Sequence, residues 1–258
     1  MLRIGAFLSL IALVTMTKPL SGAGASEIDS PLATRDDGAA RMQRVAAAYD
    51  LDVAGVLAVR SHSDLTIKAP IFGRHIVDDN WYVFENGTLA ASSHKTDPRQ
   101  PPLHDPYRSS YLSEYTYRIE RCATCSPGTS AIAYESKTRD VAHAHGTFIV
   151  NDASAHIMSG SETPYKLPWP TKSGELDALW SESPNGWFPV KVDGAFVGNI
   201  GPFVGRAFYE QSNTTIERYG SVSEATASLV RATGLAAAPG TETTPAPNVA
   251  VARSTDAR

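Results

Sequence analysis

The sequence predicts an α+β fold: a large curved antiparallel sheet, a half-barrel of about ten strands, with N-terminal and C-terminal helices. Most of residues 55–219 read as extended segments with a period of two, separated by turn residues. Helical periodicity occurs only near the two ends, and strand–helix–strand alternation, which a parallel sheet would need, does not occur. About ten twisted strands are expected to curl, because flat open sheets of that size are uncommon.

The composition narrows the classes of function. The chain has 258 residues, of which 42% are hydrophobic and 19% are charged, as in folded soluble proteins. A net charge of -4 argues against a nucleic-acid partner, which usually meets a basic surface. Two cysteines exclude a disulfide-framework miniprotein and a zinc site made of four cysteines.

Residues 1–25 are predicted to be a removable signal peptide. Arg3 supplies the positive start, residues 4–16 form an apolar run, and Ala23-Gly24-Ala25 matches a cleavage pattern before Ser26. A membrane anchor is the alternative, but a run this short does not cross a hydrocarbon core of roughly 30 Å. No cysteine lies near the cleavage point for lipid attachment. We therefore expect a periplasmic or secreted protein without a transmembrane segment after cleavage.

A spacer over 26–34 precedes one predicted domain over 35–234, and an Ala/Thr/Pro-rich tail over 235–258 is predicted to be disordered. The first helix is predicted over about 35–49. Its apolar stripe has helical spacing and consists of Met42, Val45, Ala46 and Tyr49. The last helix is predicted to follow Ser221, which with Glu224 resembles a capping box, and to end near Gly234. The concave face of the sheet is the expected docking site of both helices.

Extended segments fill the middle of the chain. A strong hairpin signal, Asn86-Gly87, follows the second of them. Residues 95–110 are polar, contain four prolines and are predicted to form a long loop, a candidate lid. The predicted strands cover 55–68, 75–85, 88–92, 112–121, 130–136, 139–150, 156–162, 176–182, 188–192, 195–197, 204–211 and 215–219.

Cys122 and Cys125 are predicted to form a structural disulfide, because thiol pairs tend to close in an oxidising compartment. A redox pair would need the motif to open a helix, whereas Ser126-Pro127-Gly128 is turn chemistry. A redox pair and free thiols remain the alternatives.

Large aromatic residues on the strands are candidates for an apolar binding site. Strand alternation places Trp81 and Phe84 on opposite faces, and it places Tyr115 and Tyr117 on the same face. One interpretation is a core on one side of the sheet and a ligand cavity on the other; the alternative is ordinary core packing, with the strand at 81–84 covered on both faces. The candidate ligand-binding residues are Trp81, Phe84, Tyr115, Tyr117, Trp180 and Phe188.

His143 and His145 are the candidate metal ligands. They lie two residues apart on a predicted strand, so their imidazoles are expected to point the same way, and imidazole pairs can bind zinc. A third ligand would have to come from His75, His156 or a distant carboxylate. A metal-assisted hydrolase is therefore one alternative function, although the common hydrolase motifs Gly-x-Ser-x-Gly and His-Glu-x-x-His do not occur.

Several short motifs carry a resemblance to a known superfamily. They are Gly146-Thr147-Phe148-Ile149-Val150-Asn151-Asp152, then His156-Ile157, Leu167-Pro168-Trp169-Pro170 and Trp187-Phe188-Pro189. Together with the leader and the helix followed by a long meander, they resemble the LolA-like periplasmic lipoprotein-carrier superfamily and the related sigma-factor regulatory sensors. The resemblance implies a half-barrel whose hydrophobic concavity accepts acyl chains.

The sequence thus favours an exported envelope protein that binds a lipid, acyl chain or other apolar ligand in the concavity, without catalysis and without a cofactor. The expected partner is an apolar small molecule or an acylated protein. Part of the inner wall should then stay uncovered, and the 95–110 loop or the 35–49 helix would move to release the ligand. An envelope protein-interaction or sensing module, docking a partner at a sheet edge, is a second alternative.

Overall fold

The computed structural model describes residues 35–94, 103–167, 170–200 and 203–238. The predicted signal peptide, the spacer and residues 239–258 of the predicted tail lie outside the described residues. Among the described helices, none is both long enough and apolar enough to span a membrane.

The described residues form two α-helices, a short 3₁₀ helix and ten strands in one antiparallel sheet. The predicted α+β fold with a curved, unclosed sheet is confirmed. Helix α1 spans Arg35–Asp52, the 3₁₀ helix Leu112–Glu114 and helix α2 Val222–Thr233. The strands are β1 Val56–Ala69, β2 Phe72–Glu85, β3 Thr88–Ser92, β4 Tyr115–Glu120, β5 Thr129–Ser136, β6 Ala144–Asn151, β7 Ile157–Pro164, β8 Thr171–Ser183, β9 Gly186–Ile200 and β10 Phe203–Tyr219.

Two pairs of predicted strands are each one long strand. The segments predicted over 188–192 and 195–197 belong to β9, and those over 204–211 and 215–219 belong to β10. The break near Thr214 is a β-bulge: Arg60 pairs with Thr215 and Ser61 with Asn213, so Thr214 has no opposite residue. A bulge disturbs the alternation of side chains without ending the strand, which is why the pattern suggested a gap.

The strand order is β3-β2-β1-β10-β9-β8-β7-β6-β5-β4. The chain therefore builds one edge with β1 to β3, crosses to the opposite edge, and returns as a meander until β10 pairs with β1. The connection that crosses from β3 to β4 contains the loop predicted as a candidate lid. Its described part, residues 103–111, is called the crossing loop here.

The two faces of the sheet are covered by different elements. Helix α1 and Tyr107 of the crossing loop pack in one large core with side chains of β1 and of β4 to β10, which we call the inner face. Helix α2 packs through Ala225 and Leu229 on the opposite, outer face, where Trp81 lies. The expectation that both helices dock on the concave face is therefore wrong for α2.

The sequence of β1 and β2 explains this arrangement. Val56 and Ala58 belong to the outer cluster, whereas Leu57 and Val59 belong to an inner one. Both sets of alternating side chains are apolar, so both faces must be covered at this end of the sheet. Trp81 and Phe84 on β2 divide between the faces in the same way. The strand at 81–84 is thus buried on both sides, as the core-packing alternative proposed.

Candidate functional site

The inner face is lined by a group of contacting aromatic rings. Tyr134 and Phe148 are stacked with their ring centroids 4.6 Å apart, and Phe148 lies edge-on to Trp180 at 6.3 Å. The three residues belong to β5, β6 and β8, and each is at most 3% exposed. Their rings therefore form a continuous apolar wall across several strands.

The crossing loop covers this wall. Tyr107 is 3% exposed, and its ring packs edge-on against Tyr49 at 4.7 Å, Phe148 at 5.6 Å and Trp180 at 5.9 Å. Tyr107 thus joins α1, the loop and the sheet in one cluster, and aromatic pairs of this kind contribute about 0.5–1.5 kcal/mol each.

Hydrogen bonds fasten the loop at several points. The hydroxyl of Tyr117 donates to the carbonyl of Pro106 at 2.6 Å, and the hydroxyl of Tyr115 donates to the carbonyl of His104. At the far end, Arg108 donates to the carbonyls of Asn86 and Gly87, at 2.9 and 3.0 Å, in the turn between β2 and β3. The crossing loop is therefore fixed by these hydrogen bonds as well as by the packing of Tyr107.

The six predicted ligand-binding residues do not meet in one place. Tyr115, Tyr117 and Trp180 lie together in the large inner core. Phe84 and Phe188 lie in a smaller cluster with Val53 and Leu57, and Trp81 lies on the outer face, where its indole donates to the carbonyl of Leu235 at 3.1 Å. All six are buried.

A cavity of about 10 Å³ remains between α1 and the sheet, lined among others by Val45, Tyr49, Trp180 and Trp187. That volume is about the space of one water molecule. Among the described residues, α1 and the crossing loop cover the aromatic wall, so the expectation of an uncovered inner wall does not hold in this conformation. The buried indole N–H of Trp180 finds no acceptor among the described residues.

Two buried carboxyl groups lie in this interior. Burial raises the pKa of Asp105 in the crossing loop to about 7, although nearby Arg108 lowers it in part. Burial also raises the pKa of Glu162 on β7 to about 8, and the charge of Asp105 adds to the effect, while a hydrogen bond from the Tyr134 hydroxyl at 2.7 Å opposes it. Burying two carboxyl groups in an apolar core costs free energy, which reduces the stability of the closed inner face.

A cluster of histidines and carboxylates lies at the base of the crossing loop. One carboxylate oxygen of Glu114, Oε2, lies 2.6 Å from Nδ1 of His104 and 2.8 Å from Nε2 of His143. The other ring nitrogen of His143, Nδ1, lies 2.6 Å from the carboxylate of Asp140. His104, Glu114 and His143 could hold a metal ion, since their donor atoms lie within 4.8 Å of one another.

The electrostatics of this cluster reflect its hydrogen bonds. Burial disfavours the charged form of Glu114, but the hydrogen bonds with His104 and His143 outweigh it and lower the pKa of Glu114. Burial likewise disfavours charged His143, but the hydrogen bonds to Asp140 and Glu114 outweigh it and raise the pKa of His143.

Among the described residues, His143 and His145 do not belong to one cluster of possible metal ligands. His143 precedes β6 and is 5% exposed, whereas His145 lies within β6, is exposed and packs its ring against Tyr165 at 4.8 Å. Residues two apart point the same way only within a strand, and β6 begins at Ala144, after His143. The expected distant carboxylate exists as Glu114, while His104 was missed because its loop reads only as polar and proline-rich.

The predicted disulfide between Cys122 and Cys125 is confirmed. It lies in the connection between β4 and β5, where Gly128 adopts a positive φ of 79°. Ser126-Pro127-Gly128 is therefore followed by no helix, as the sequence predicted, and the disulfide lies beside a turn.

No family model and no curated protein matches this chain. Comparison with solved structures finds likenesses at low sequence identity. One is a LolA superfamily protein from Nitrosomonas europaea, with 9% identity, 71% of this chain and 96% of that one covered, and a TM-score of 0.37.

Two other solved structures belong to the same comparison. A domain of an outer membrane lipoprotein-sorting protein from Vibrio parahaemolyticus is 7% identical, with a TM-score of 0.42. The match covers 77% of this chain and 100% of that one. A chain in the complex of MucA and MucB from Pseudomonas aeruginosa is 9% identical, with a TM-score of 0.27. The match covers 72% of this chain and 100% of that one. The weak resemblance to LolA-like proteins seen in the sequence motifs thus recurs at the level of structure.

Proposed function

We propose that this is an exported periplasmic or secreted protein that binds an apolar ligand between α1 and the inner face of the sheet, without catalysis. The ligand class is an acyl chain, carried by a lipid or by an acylated protein. The observation that supports this most is the aromatic wall of the inner face, closed by two elements that are not strands of the sheet, α1 and the crossing loop.

The energy of burial decides whether a ligand can displace α1. The large side chains that α1 buries completely are Met42 and Val45, and burial of each contributes about 1.5–3 kcal/mol. An acyl chain contributes about 0.8 kcal/mol per buried CH₂, so a chain of about 14 such groups contributes roughly 11 kcal/mol. A long acyl chain therefore contributes more than the burial of Met42 and Val45 together, whereas a short one does not.

Trp180 offers a polar contact inside the apolar site. Trp180 lines the cavity, and its buried indole N–H finds no acceptor among the described residues; a buried donor without a partner costs about 1–3 kcal/mol. An ester or amide carbonyl at the head of an acyl chain would accept this hydrogen bond. Tyr115 and Tyr117 would form the neighbouring wall, Phe84 and Phe188 would extend it, and Trp81 on the outer face takes no part.

Arg41 offers a way to test the proposal. It lies on α1, and its guanidinium donates to Asp152 at 2.6 Å and to the hydroxyl of Ser130 at 2.5 Å, which fastens the helix across the sheet. Because both partners are partly exposed, the pair contributes at most about 1 kcal/mol. We therefore expect Arg41→Ala to raise the affinity for a fluorescent long-chain fatty acid two- to fivefold, by making α1 easier to displace.

Arg44→Ala is the matched control, because Arg44 is an exposed residue of the same helix and loses the same side chain without loosening this contact. Its probe affinity should equal that of the unchanged chain. Native mass spectrometry of protein from its host, with lipid extraction, provides the second measurement. The proposal is wrong if no bound apolar species is found and neither the unchanged chain nor Arg41→Ala takes up the probe.

A further inference from the structure

The cluster at the base of the crossing loop has the composition of a zinc site. We propose that His104, Glu114 and His143 bind one Zn²⁺ ion that fastens the crossing loop over the inner face. Two imidazole nitrogens and a carboxylate oxygen are ligands that zinc prefers, and a water molecule would complete a tetrahedron. This site is structural, not catalytic, and zinc binding is measurable whether or not the protein binds lipid.

The orientation of His143 supports the assignment. Its Nδ1 is held by the carboxylate of Asp140, which in turn accepts the backbone N–H of Ala142 at 2.9 Å. This leaves Nε2 directed at Glu114. A carboxylate that fixes the far nitrogen of a ligating histidine is the usual arrangement around protein-bound zinc, where it sets the tautomer and the ring orientation.

His104 is also held in place. Its ring stacks on Tyr111 with centroids 4.3 Å apart, and its backbone N–H donates to the carbonyl of Ala142 at 2.9 Å. Glu114 is fixed through its backbone, because its carbonyl accepts the N–H of Lys137 at 2.8 Å. The carbonyl of His143 accepts the N–H of Tyr165 at 3.1 Å. All three ligand residues therefore sit on hydrogen-bonded backbone, which keeps the entropic cost of binding the ion low.

The distances require a small adjustment. Zinc binds nitrogen at about 2.0–2.1 Å and carboxylate oxygen at about 2.0–2.2 Å, so tetrahedral donors lie about 3.4 Å apart. Glu114 Oε2 now lies 2.6 and 2.8 Å from the two nitrogens and would move away from them by about 0.6–0.8 Å. The Glu114 side chain is one-third exposed and can make this movement.

The position of the ligands predicts the effect of the ion. His104 and Glu114 bracket the segment that carries Asp105 and Tyr107 into the interior, and His143 lies on the connection that precedes β6. An ion shared by the three would tie both ends of the crossing loop to the sheet. Zinc should therefore slow the opening of the loop without contacting the aromatic wall.

The test uses the full chain without a polyhistidine tag, stripped of metal with a chelator. Titration with Zn²⁺ in a calorimeter should give one ion per chain, and Co²⁺ should give the visible absorption of a tetrahedral site with nitrogen and oxygen ligands. His104→Gln and Glu114→Gln should each weaken binding at least tenfold. Asp140→Asn should weaken it about tenfold, because Asp140 orients His143 without touching the ion.

His145→Gln is the control, since His145 lies two residues from His143 and packs on Tyr165 instead; its zinc affinity should be unchanged. Hydrogen exchange of residues 103–111 should slow on addition of Zn²⁺ and should not slow in Glu114→Gln, a part-exposed position at which folding is expected to persist. The proposal is overturned if the stripped chain binds no stoichiometric zinc, or if His104→Gln and Glu114→Gln bind it as tightly as the unchanged chain.

Discussion

At the scale of single residues, the main feature is a pair of carboxyl groups inside an apolar core. Asp105 reaches the interior from the crossing loop and Glu162 from β7, and both are about 5–6% exposed. Burial raises the pKa of both carboxyl groups into the neutral range, because the charged form would lose its hydration. The covering of the inner face is therefore sensitive to pH.

Glu162 gives this sensitivity a definite sign. Its pKa is raised from 4.5 to about 8, so between these values the folded state keeps a proton that the unfolded state has lost. The contribution of Glu162 to the free energy of unfolding should therefore be greatest below about pH 4.5. It should fall by on the order of a few kcal/mol as the pH rises to 8. The groups facing it are Tyr134, Tyr115, Tyr107 and Asp105.

Urea unfolding between pH 5 and 8 measures this effect. Glu162→Gln should reduce the dependence to the part that Asp105 contributes, because the amide keeps an acceptor for Tyr134 and does not titrate. Glu182→Gln, at an exposed position on β8, should leave the slope as it was. An equal slope in Glu162→Gln and in the unchanged chain would show that Glu162 ionises freely in the folded protein.

At the scale of elements, α1 is the helix that closes the inner face, and it approaches the backbone of β4 closely at Gly38. A Cβ at this position would lie 2.8 Å from the carbonyl oxygen of Tyr117 on β4. Backbone cannot give way as a flexible side chain can, so only glycine lets the helix lie this close.

Gly38→Ala should therefore destabilise the protein by about 1–3 kcal/mol, as overpacking does, although alanine favours helix by up to about 1 kcal/mol over glycine. The free energy of unfolding in urea measures this. Ala39→Gly, at an exposed neighbouring position, reports the helix propensity alone and should cost about 1 kcal/mol or less. A gain of stability in Gly38→Ala would contradict the close contact between α1 and β4.

At the scale of the whole molecule, α1 and the crossing loop pack on a sheet that is held together by its own strand pairing. Strand β1 pairs along nearly its whole length with β2 on one side and β10 on the other, which joins the two halves of the chain. The crossing loop is instead held by hydrogen bonds within its own turns and by a few side chains. In one of these turns, the N–H of Arg108 donates to the carbonyl of Asp105 at 3.1 Å.

Hydrogen exchange should follow this division. We expect amides of β1 and β10 to exchange only through global unfolding, and those of α1 and residues 103–111 through smaller, less costly openings. Exchange followed by mass spectrometry, with low urea added, separates the two classes, because only global opening depends strongly on urea. If α1 exchanged as slowly as β1, a ligand would have no low-cost way into the site.

The sequence by itself determined the local features of this protein. The period of two located the strands, the Ser221 capping box and Gly234 bounded α2, and Ser126-Pro127-Gly128 placed the disulfide in a turn. These features depend on neighbouring residues and on backbone preferences, which a single sequence contains. The bulge at Thr214 was interpreted as a gap between two strands, because it interrupts the alternation of side chains without ending the strand.

The tertiary structure alone decided which distant residues meet. Alternation divides side chains between two faces but does not say which face is inner, and when both sets are apolar, as at Trp81 and Phe84, either assignment fits. The contacts of Glu114 with His104 and His143 depend on a chain that crosses from one edge of the sheet to the other and returns. Such meetings are fixed by the packing of the whole chain, and so neither the closed inner face nor the candidate zinc site could be located from local patterns.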